Sequence, residues 1–271
     1  MTTDLQSLCA EGVRIAREAG DAILEVYAEP FEVITKDDNS PLTRADLASH
    51  RVIVDRLRAL TPDIPLLSEE SDGISDSERL SWGRYWLIDP LDGTKEFVNR
   101  NGEFTVNIAL IDAHRPVLGV VHVPVHQQTF AGIVGVGAWR QDGDGEPTAI
   151  TTRRPPGSPP VVVGSRSHAN PKLEACLAPI GDVELVSMGS SLKFCRVAEG
   201  AADLYPRLGP TSEWDTAAAQ AVVEAAGGQV LELDGRPLEY NRTETILNPY
   251  FLVLGDPDAG WPGRLDLDLD D

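Results

Sequence analysis

Apolar residues recur at helical spacing in two segments of the first 60 residues. Between residues 4 and 28 they lie at intervals of three, four and seven, from Leu5 to Val26, which predicts an amphipathic helix. A second helix is predicted from Arg44 to Leu60, because apolar residues again share one face and Pro62 follows. The chain therefore opens with two helices that need a common apolar partner.

Strand patterns dominate the next 80 residues and predict a sheet that covers these helices. The predicted strands span residues 84–89, 104–111, 117–123 and 128–136. The segment Arg153 to Pro160, "RRPPGSPP", interrupts both periodicities and is the predicted boundary between two halves.

Strands and helices alternate after this boundary, with helices predicted over 171–178, 190–199 and 215–226. That alternation is typical of an α/β arrangement. We therefore predict a helix-plus-antiparallel-sheet half over residues 1–152, an α/β half over residues 161–255 and an acidic tail over residues 256–271. The fold class predicted is α/β with an α+β first half.

Composition narrows the class of protein. The 271 residues carry a formal net charge of −20, which excludes a broad basic surface for nucleic acid. The three cysteines form no CxxC pair, the start of the chain has no basic and apolar leader pattern, and no apolar run is long enough to span a bilayer. A cytoplasmic protein without a transmembrane segment is expected, and the oligomeric state stays open.

Five acidic positions stand beside turns or helix starts, and each has an ordinary interpretation when taken alone. Asp46 and Asp215 suit the first turn of a helix, where a carboxylate caps and favours the dipole. Glu69 follows the apolar run "PLL", as a solvated strand end would. Asp89 and Asp92 lie in "DPLDGT", which has the composition of a loop.

Taken together, these acids fit a magnesium site better than five separate loops. Carboxylate oxygens are hard ligands that suit Mg²⁺ together with substrate phosphate. In an Asp-x-x-Asp turn one acid can bridge two ions roughly 3.5–4 Å apart, which clamp a phosphoryl group. Gly93 allows close backbone approach, and the Thr94 hydroxyl can orient a water.

Two motifs in the right order resemble the paired signatures of the inositol-monophosphatase-like superfamily of Mg²⁺-dependent, Li⁺-sensitive phosphatases. They are "DPLDGT" at 89–94 and "WDTAA" at 214–218, with "SEE" at 68–70 before them. Longer stretches, such as "YWLIDPLDGTKEFVNRNGEFTVNIALID" and "GSSLKFCRVAEG", are similar to the bacterial CysQ branch, the 3'(2'),5'-bisphosphate nucleotidases. The resemblance spans residues 4–254 and lapses around 72–81 and 141–160.

The resemblance implies a layered αβαβα sandwich and a role for each acid. Glu69, Asp89 and the Leu91 carbonyl are implied as ligands of a first Mg²⁺, and Asp89, Asp92 and Asp215 as ligands of a second. Asp46 and Thr94 are implied to orient the attacking water, in some relatives beside a third ion, and Glu69 is counted among the catalytic residues as well.

Polar groups that choose the substrate are expected in the second half. Ser190 and Ser191 precede a predicted helix whose first turn carries Lys193, and such a helix start can hold phosphate. Arg207 suits bidentate phosphate contact. An N-cap with a surface lysine is the plain alternative. The resemblance implies that Lys193 and Arg207 bind the phosphate that is not cleaved, and that His168 lies near the nucleotide. The full set of implied substrate contacts is Leu91, Asp92, Gly93, Thr94, His168, Ser190, Ser191, Lys193, Arg207 and Asp215.

The activity implied is removal of the 3'-phosphate of adenosine 3',5'-bisphosphate to give AMP, and of the same phosphate from its sulfated analogue PAPS. Within the superfamily, the alternatives are an inositol monophosphatase and a sugar bisphosphatase. From another class, the alternative is a catalytically silent metal-dependent binding module. Some relatives are described as peripheral at the inner membrane, although the chain has no basic amphipathic helix that would support this location.

Overall fold

The computed structural model of the chain describes residues 4–28, 33–35, 41–165 and 171–268. Seven α-helices lie in these ranges, some of only one turn. They are α1 (Leu5–Tyr27), α2 (Arg44–Leu60), α3 (Asp76–Arg79), α4 (Thr94–Val98), α5 (Pro171–Leu177), α6 (Leu192–Ala198) and α7 (Glu213–Ala225).

The first half of the chain builds a seven-stranded sheet in the order β3-β4-β5-β6-β7-β8-β9. Strand β3 runs parallel to β4, and all later neighbours pair antiparallel. Two short strands, β1 (Val33–Thr35) and β2 (Pro41–Thr43), pair separately. The seven strands are β3 (Leu66–Ser68), β4 (Arg84–Asp92), β5 (Thr105–Asp112), β6 (Arg115–Val123), β7 (Gln128–Ile133), β8 (Gly137–Asp142) and β9 (Thr148–Ile150).

The second half builds a five-stranded mixed sheet in the order β11-β10-β12-β14-β13. Its strands are β10 (Val161–Ser165), β11 (Glu184–Met188), β12 (Leu204–Arg207), β13 (Gln229–Glu232) and β14 (Phe251–Leu254). The predicted boundary at residues 153–160 lies between β9 of one sheet and β10 of the other.

The elements stack in five layers with three apolar clusters between them. Helices α1 and α2 cover one face of the large sheet, where Ile23, Ile53 and Trp86 are fully buried. Helices α6 and α7 lie between the two sheets. Helix α5 and the 3₁₀ turn at Trp261 cover the outer face of the small sheet. This is the predicted αβαβα sandwich, and the predicted fold class is confirmed.

Two glycines bring α7 directly onto the large sheet. A Cβ atom at Gly119 would lie 2.0 Å from the carbonyl oxygen of Ala218, and one at Gly132 would lie 2.8 Å from Cα of Val222. Neither position can carry a side chain without moving the helix. The close seating of α7 fixes its first turn, which carries Asp215, against the end of β4.

The structure corrects several element bounds. The strand predicted over 128–136 ends at Ile133, because the chain turns at Gly135 with φ of 80° and returns as β8. The helix predicted from residue 190 begins at Leu192, since Ser190 has a left-handed φ of 45°. The helix predicted from Asp215 begins at Glu213, where Ser212 and Asp215 form a capping box.

Strands β8 and β9 were not predicted from the sequence. Their register pairs Ala138 with Ile150, although several of their side chains are exposed and their apolar alternation is weak. Among the described residues, no helix is both long and apolar enough to cross a bilayer.

Candidate metal centre and phosphate cleft

Three acids from two distant parts of the chain form a cluster at the end of β4. Carboxylate oxygens of Asp89, Asp92 and Asp215 all lie within 4.8 Å of one another. A break in the β4–β5 register between Asp89 and Asp92 produces this geometry, because it turns both side chains toward the start of α7.

Local hydrogen bonds hold the turn in shape. The Leu91 backbone N–H donates to Asp89 Oδ1 at 3.0 Å, and the Ser49 hydroxyl of α2 donates to the Pro90 carbonyl at 2.7 Å. Gly93 then takes a φ of 94°, a conformation that favours glycine, and Thr94 begins α4. The sequence "DPLDGT" thus forms a bulge and a left-handed turn that end in the first residue of a helix.

The other two predicted acids approach the same cluster. Glu69 follows β3, and its backbone N–H donates to the Ile88 carbonyl at 3.1 Å, which sets it beside Asp89. Asp46, in the first turn of α2, is buried. Burial, followed by the charges of Glu69, Asp92, Asp215 and Asp46, raises the pKa of Asp89 well above its usual range.

The electrostatics of the cluster fit a divalent cation. Burial is also the main cause that raises the pKa of Asp92, and burial and then the charge of Asp92 raise that of Asp215. Buried oxygens that repel one another when ionised suit Mg²⁺, a hard cation that prefers carboxylates. The donor set therefore fits the predicted metal.

A cleft of about 120 Å³ opens beside Asp92 and Asp215. Its lining includes most of the predicted substrate contacts, together with residues that the sequence did not single out. The predicted residues are Asp92, Gly93, Ser190, Ser191, Lys193, Arg207 and Asp215, and the additional ones include Lys95, Glu96, Tyr205 and Thr211. His168 lies outside the described residues.

The turn before α6 is held by carboxylates of the first half. The Gly189 N–H donates to Glu103 at 2.8 Å, and the Ser191 N–H donates to Asp92 at 2.6 Å. The Ser191 hydroxyl lies 2.8 Å from both Thr105 Oγ1 and Asn107 Oδ1 on β5. Glu103, Thr105 and Asn107 were missed, although "GEFTVN" follows the acidic motif after seven residues and its strand returns antiparallel to β4.

The two predicted cations differ in their surroundings. Lys193 is buried, and its Nζ donates to the Ser190 carbonyl at 2.5 Å and lies 5.6 Å from the Tyr205 ring centroid. Burial lowers the pKa of Lys193 to about 8. Arg207 is half-buried, and its Nη2 donates to the Pro210 carbonyl at 2.6 Å. Its Nε is buried without a hydrogen-bond partner among the described residues, so this N–H is available to donate to a bound anion.

The fold and this cleft define a family. Residues 4–254 match the model of the inositol monophosphatase family, and the chain belongs to that family. Its phosphatases are metal-dependent, and the acidic cluster lies where the paired motifs predicted it.

Named relatives within the family carry one description. The chain is 54% identical over 243 residues to the 3'(2'),5'-bisphosphate nucleotidase CysQ of Escherichia coli strain K12, covering 89% of this chain and 96% of that protein. It is 40% identical over 256 residues to the protein of the same name from Aggregatibacter actinomycetemcomitans, covering 94% and 95%.

A solved structure agrees with these relatives. The crystal structure of CysQ from Bacteroides thetaiotaomicron superposes with a TM-score of 0.82 at 41% identity, covering 92% of this chain and 97% of the other. The predicted resemblance, to this family and to its CysQ branch, is confirmed.

Proposed function

We propose that the protein is a Mg²⁺-dependent 3'(2'),5'-bisphosphate nucleotidase that converts adenosine 3',5'-bisphosphate to AMP and phosphate. PAPS, which carries the same 3'-phosphate, is the proposed second substrate. The relatives named 3'(2'),5'-bisphosphate nucleotidase bear out this class of activity. The structural observation that carries the proposal is one cleft with an acidic cluster on one wall and two cations, Lys193 and Arg207, on another.

The two walls suit a substrate with two anionic groups. A phosphate at the acidic wall needs divalent cations to offset the carboxylates, and a second phosphate suits Lys193 and Arg207. An inositol monophosphate carries no second anion for those cations. A second cavity of about 330 Å³ shares Ser165, Tyr205 and Arg207 with the cleft and offers space for the nucleoside.

We assign the ligand sets as the resemblance implies them. Glu69, Asp89 and the Leu91 carbonyl would hold one ion, and Asp89, Asp92 and Asp215 a second. When bound, Mg²⁺ supplies Lewis-acid charge that neutralises the phosphate and the departing oxygen. The buried, mutually repelling carboxylates of the cluster support this assignment.

The chain's own residues would orient the reaction. Asp46 and Thr94 would hold the attacking water by hydrogen bonds, with Glu69 beside them. The water oxygen attacks phosphorus in line, the bond from phosphorus to the ribose 3'-oxygen breaks, and a proton passes to that oxygen. Ser190 and Ser191 would hold the spectator phosphate through the turn before α6, and His168 would lie near the nucleotide.

Two alternative functions, a sugar bisphosphatase and a catalytically silent binding module, are less well supported. A sugar bisphosphate also has two anions, and phosphate release from fructose 1,6-bisphosphate, compared with release from adenosine 3',5'-bisphosphate, distinguishes the two activities. A silent binding module has no need for a hydroxyl such as Thr94 beside five carboxylates. The three buried free cysteines suit the cytoplasm, which we propose as the location, with peripheral association at the inner membrane as the alternative.

The proposal is tested by product analysis. With adenosine 3',5'-bisphosphate and Mg²⁺, chromatography should show AMP and equimolar phosphate, with none formed in excess EDTA. Formation of adenosine 3'-phosphate would contradict it, since the wrong phosphate would have been removed. Li⁺ should inhibit where the same concentration of Na⁺ does not, as is general in this family.

A further inference from the structure

A buried polar cluster lies behind the first turn of α7, outside the cleft. Its members are Arg79 of α3, Asn241 and Glu213, whose exposed fractions are 4%, 1% and 4%. They come from three separate parts of the chain. Burying an arginine and a glutamate costs free energy unless both are well bonded, so the arrangement calls for an explanation.

Asn241 joins the other two residues. Its side-chain oxygen accepts from Arg79 Nη1 at 2.9 Å, and its amide nitrogen donates to the Arg79 carbonyl at 2.5 Å. Its backbone N–H donates to Glu213 Oε1 at 2.7 Å. Asn241 takes a left-handed φ of 56°, which asparagine tolerates better than most residues.

The cluster connects two segments to the start of α7. Arg79 also donates to the Glu244 carbonyl at 2.5 Å, which fixes the segment after Glu69 to the loop around residues 241–248. Glu213 is the first residue of α7, and its backbone N–H donates to the Ile246 carbonyl at 2.9 Å. The first turn of the helix is thus held from behind by both its backbone and its side chain.

Asp215 projects from this same turn on the side of the cleft. Its Oδ2 accepts the Ser212 N–H at 2.9 Å, and its carboxylate faces Asp89 and Asp92. Three carboxylates at this separation repel one another when ionised. Without the contacts of Glu213 to Asn241 and Ile246, the first turn of α7 could relieve that repulsion by rotating Asp215 away from Asp89 and Asp92.

We infer that Arg79, Asn241 and Glu213 are positioning residues that hold Asp215 in place for metal binding. The inference rests on the proposed function, because it takes Asp215 as a metal ligand.

Two disruptive variants and one conservative variant test whether the cluster positions Asp215. Asn241→Gly removes both side-chain bonds to Arg79, yet glycine keeps the left-handed backbone and the N–H that Glu213 accepts. Glu213→Ala removes the acceptor, whereas Glu213→Gln keeps an oxygen for the Asn241 N–H. Ile133→Val, a mild truncation in the large sheet, is the control for general loss of stability.

Calorimetric titration of the substrate-free proteins with Mn²⁺ or Mg²⁺ is the main readout. Partners that orient metal ligands typically change metal affinity by about 10–100-fold, and we expect at least a tenfold weakening in Asn241→Gly and Glu213→Ala. At saturating Mg²⁺ their kcat should fall, and KM for the nucleotide should stay within about threefold, since Lys193 and Arg207 are untouched. Glu213→Gln and Ile133→Val should bind metal as the wild type does.

Each outcome decides something. If Asn241→Gly binds metal like the wild type and loses only thermal stability, the cluster is structural and the inference is wrong. If Glu213→Gln is as weak as Glu213→Ala, the hydrogen bond is not the cause, which also overturns it. If the wild type itself binds no divalent cation, the proposed function fails instead. Should Glu213→Ala not fold, Asn241→Gly decides alone.

Discussion

The backbone N–H of Ser191 donates to a carboxylate oxygen of Asp92 at 2.6 Å. The bond joins the acidic cluster of the large sheet to the turn that begins α6 beside the small sheet. A single carboxylate therefore takes part in both halves of the cleft. A change at Asp92 is therefore expected to affect both the metal centre and the turn before α6. A replacement that keeps a hydrogen-bond acceptor for the Ser191 N–H should affect the metal centre alone.

Asp92→Asn keeps an oxygen that can accept the Ser191 N–H but removes the charge. We expect a folded protein with phosphate release at least about a hundred-fold slower in Mg²⁺, because transition-state charge stabilisation by metal is worth several kcal/mol. Phosphate release by the wild type should also stop in excess EDTA.

The same variant makes a prediction about stability. Burial raises the pKa of Asp92 above the ordinary aspartate pKa of about 4. Ionisation of Asp92 therefore destabilises the folded, metal-free protein as the pH rises above that ordinary pKa. In EDTA at pH 7.5 the variant's Tm should equal or exceed that of the wild type, and Mg²⁺ should raise only the wild-type Tm substantially. A Tm well below the wild type in EDTA would contradict this account of the cluster.

Selectivity for a bisphosphate should depend on Lys193 and Arg207. Lys193→Met or Arg207→Ala removes a charge-assisted contact worth roughly 1.5–3 kcal/mol, so kcat/KM for adenosine 3',5'-bisphosphate should fall by one to two orders of magnitude. Adenosine 3'-monophosphate lacks the spectator phosphate and should be hydrolysed almost as before. Arg236→Ala, on the surface, is the matched control. Equal losses on both substrates would show that these residues serve catalysis or structure.

The charge of Lys193 should give selectivity a pH dependence. Burial lowers its pKa to about 8, with the charge of Asp92 opposing that effect and Arg207 adding to it, so the ammonium is present below this pH and lost above it. A phosphate monoester keeps its full charge there, because its second pKa is about 6. The ratio of kcat/KM for the bisphosphate to that for adenosine 3'-monophosphate should decline above pH 8.

That decline should be absent in Lys193→Arg, whose guanidinium stays charged. A ratio that is constant between pH 7 and 9.5 in the wild type would mean that Lys193 does not act through its charge.

His122 should make the protein sensitive to acid at a point far from the cleft. Its ring is buried on β6, its Nδ1 lies 2.9 Å from Thr129 Oγ1, and its Nε2 has no hydrogen-bond partner among the described residues. Burial lowers its pKa from 6.5 to about 4. The folded state therefore favours the neutral ring, and this stability is complete above pH 6.5 and lost as pH falls toward 4.

The size of that loss follows from the shift. Two and a half pKa units correspond to about 3 kcal/mol in the free energy of unfolding. Denaturant unfolding at several pH values should show a wild-type slope that His122→Gln lacks over the same range. Parallel slopes for the two proteins would contradict the assignment.

Local patterns predicted most of the fold, and the reasons for the exceptions are physical. The predicted bounds of α2 agree with those observed because both its apolar face and its following proline are encoded locally. The start of α6 was misplaced because Ser190 is left-handed, and the bonds that hold its neighbours Gly189 and Ser191 reach the distant Glu103 and Asp92. Strand β8 was missed because most of its side chains are half-buried, which weakens the apolar and polar alternation on which strand prediction rests.

At the candidate site, too, locally encoded residues were predicted and residues placed by distant contacts were not. The acids Asp89 and Asp92 were recognisable from one short motif, and Asp215 only from the order of two motifs. Nothing in the sequence near Arg79 or Asn241 pointed to α7, since their contact joins residues 162 positions apart. A contact between residues so far apart forms only in the folded chain and leaves no local sequence pattern that predicts it.

The central claim is that the cleft is built for a nucleotide with two phosphates. Its most direct test is phosphate release from adenosine 3',5'-bisphosphate, inositol 1-phosphate and fructose 1,6-bisphosphate, measured side by side with Mg²⁺. We expect kcat/KM for the adenosine bisphosphate to exceed that for inositol 1-phosphate by at least about tenfold, given the charge-assisted contacts to the spectator phosphate. It should exceed that for fructose 1,6-bisphosphate as well, because the cavity beside the cleft offers space for the nucleoside. Equal or faster hydrolysis of either the inositol or the fructose phosphate would contradict the account.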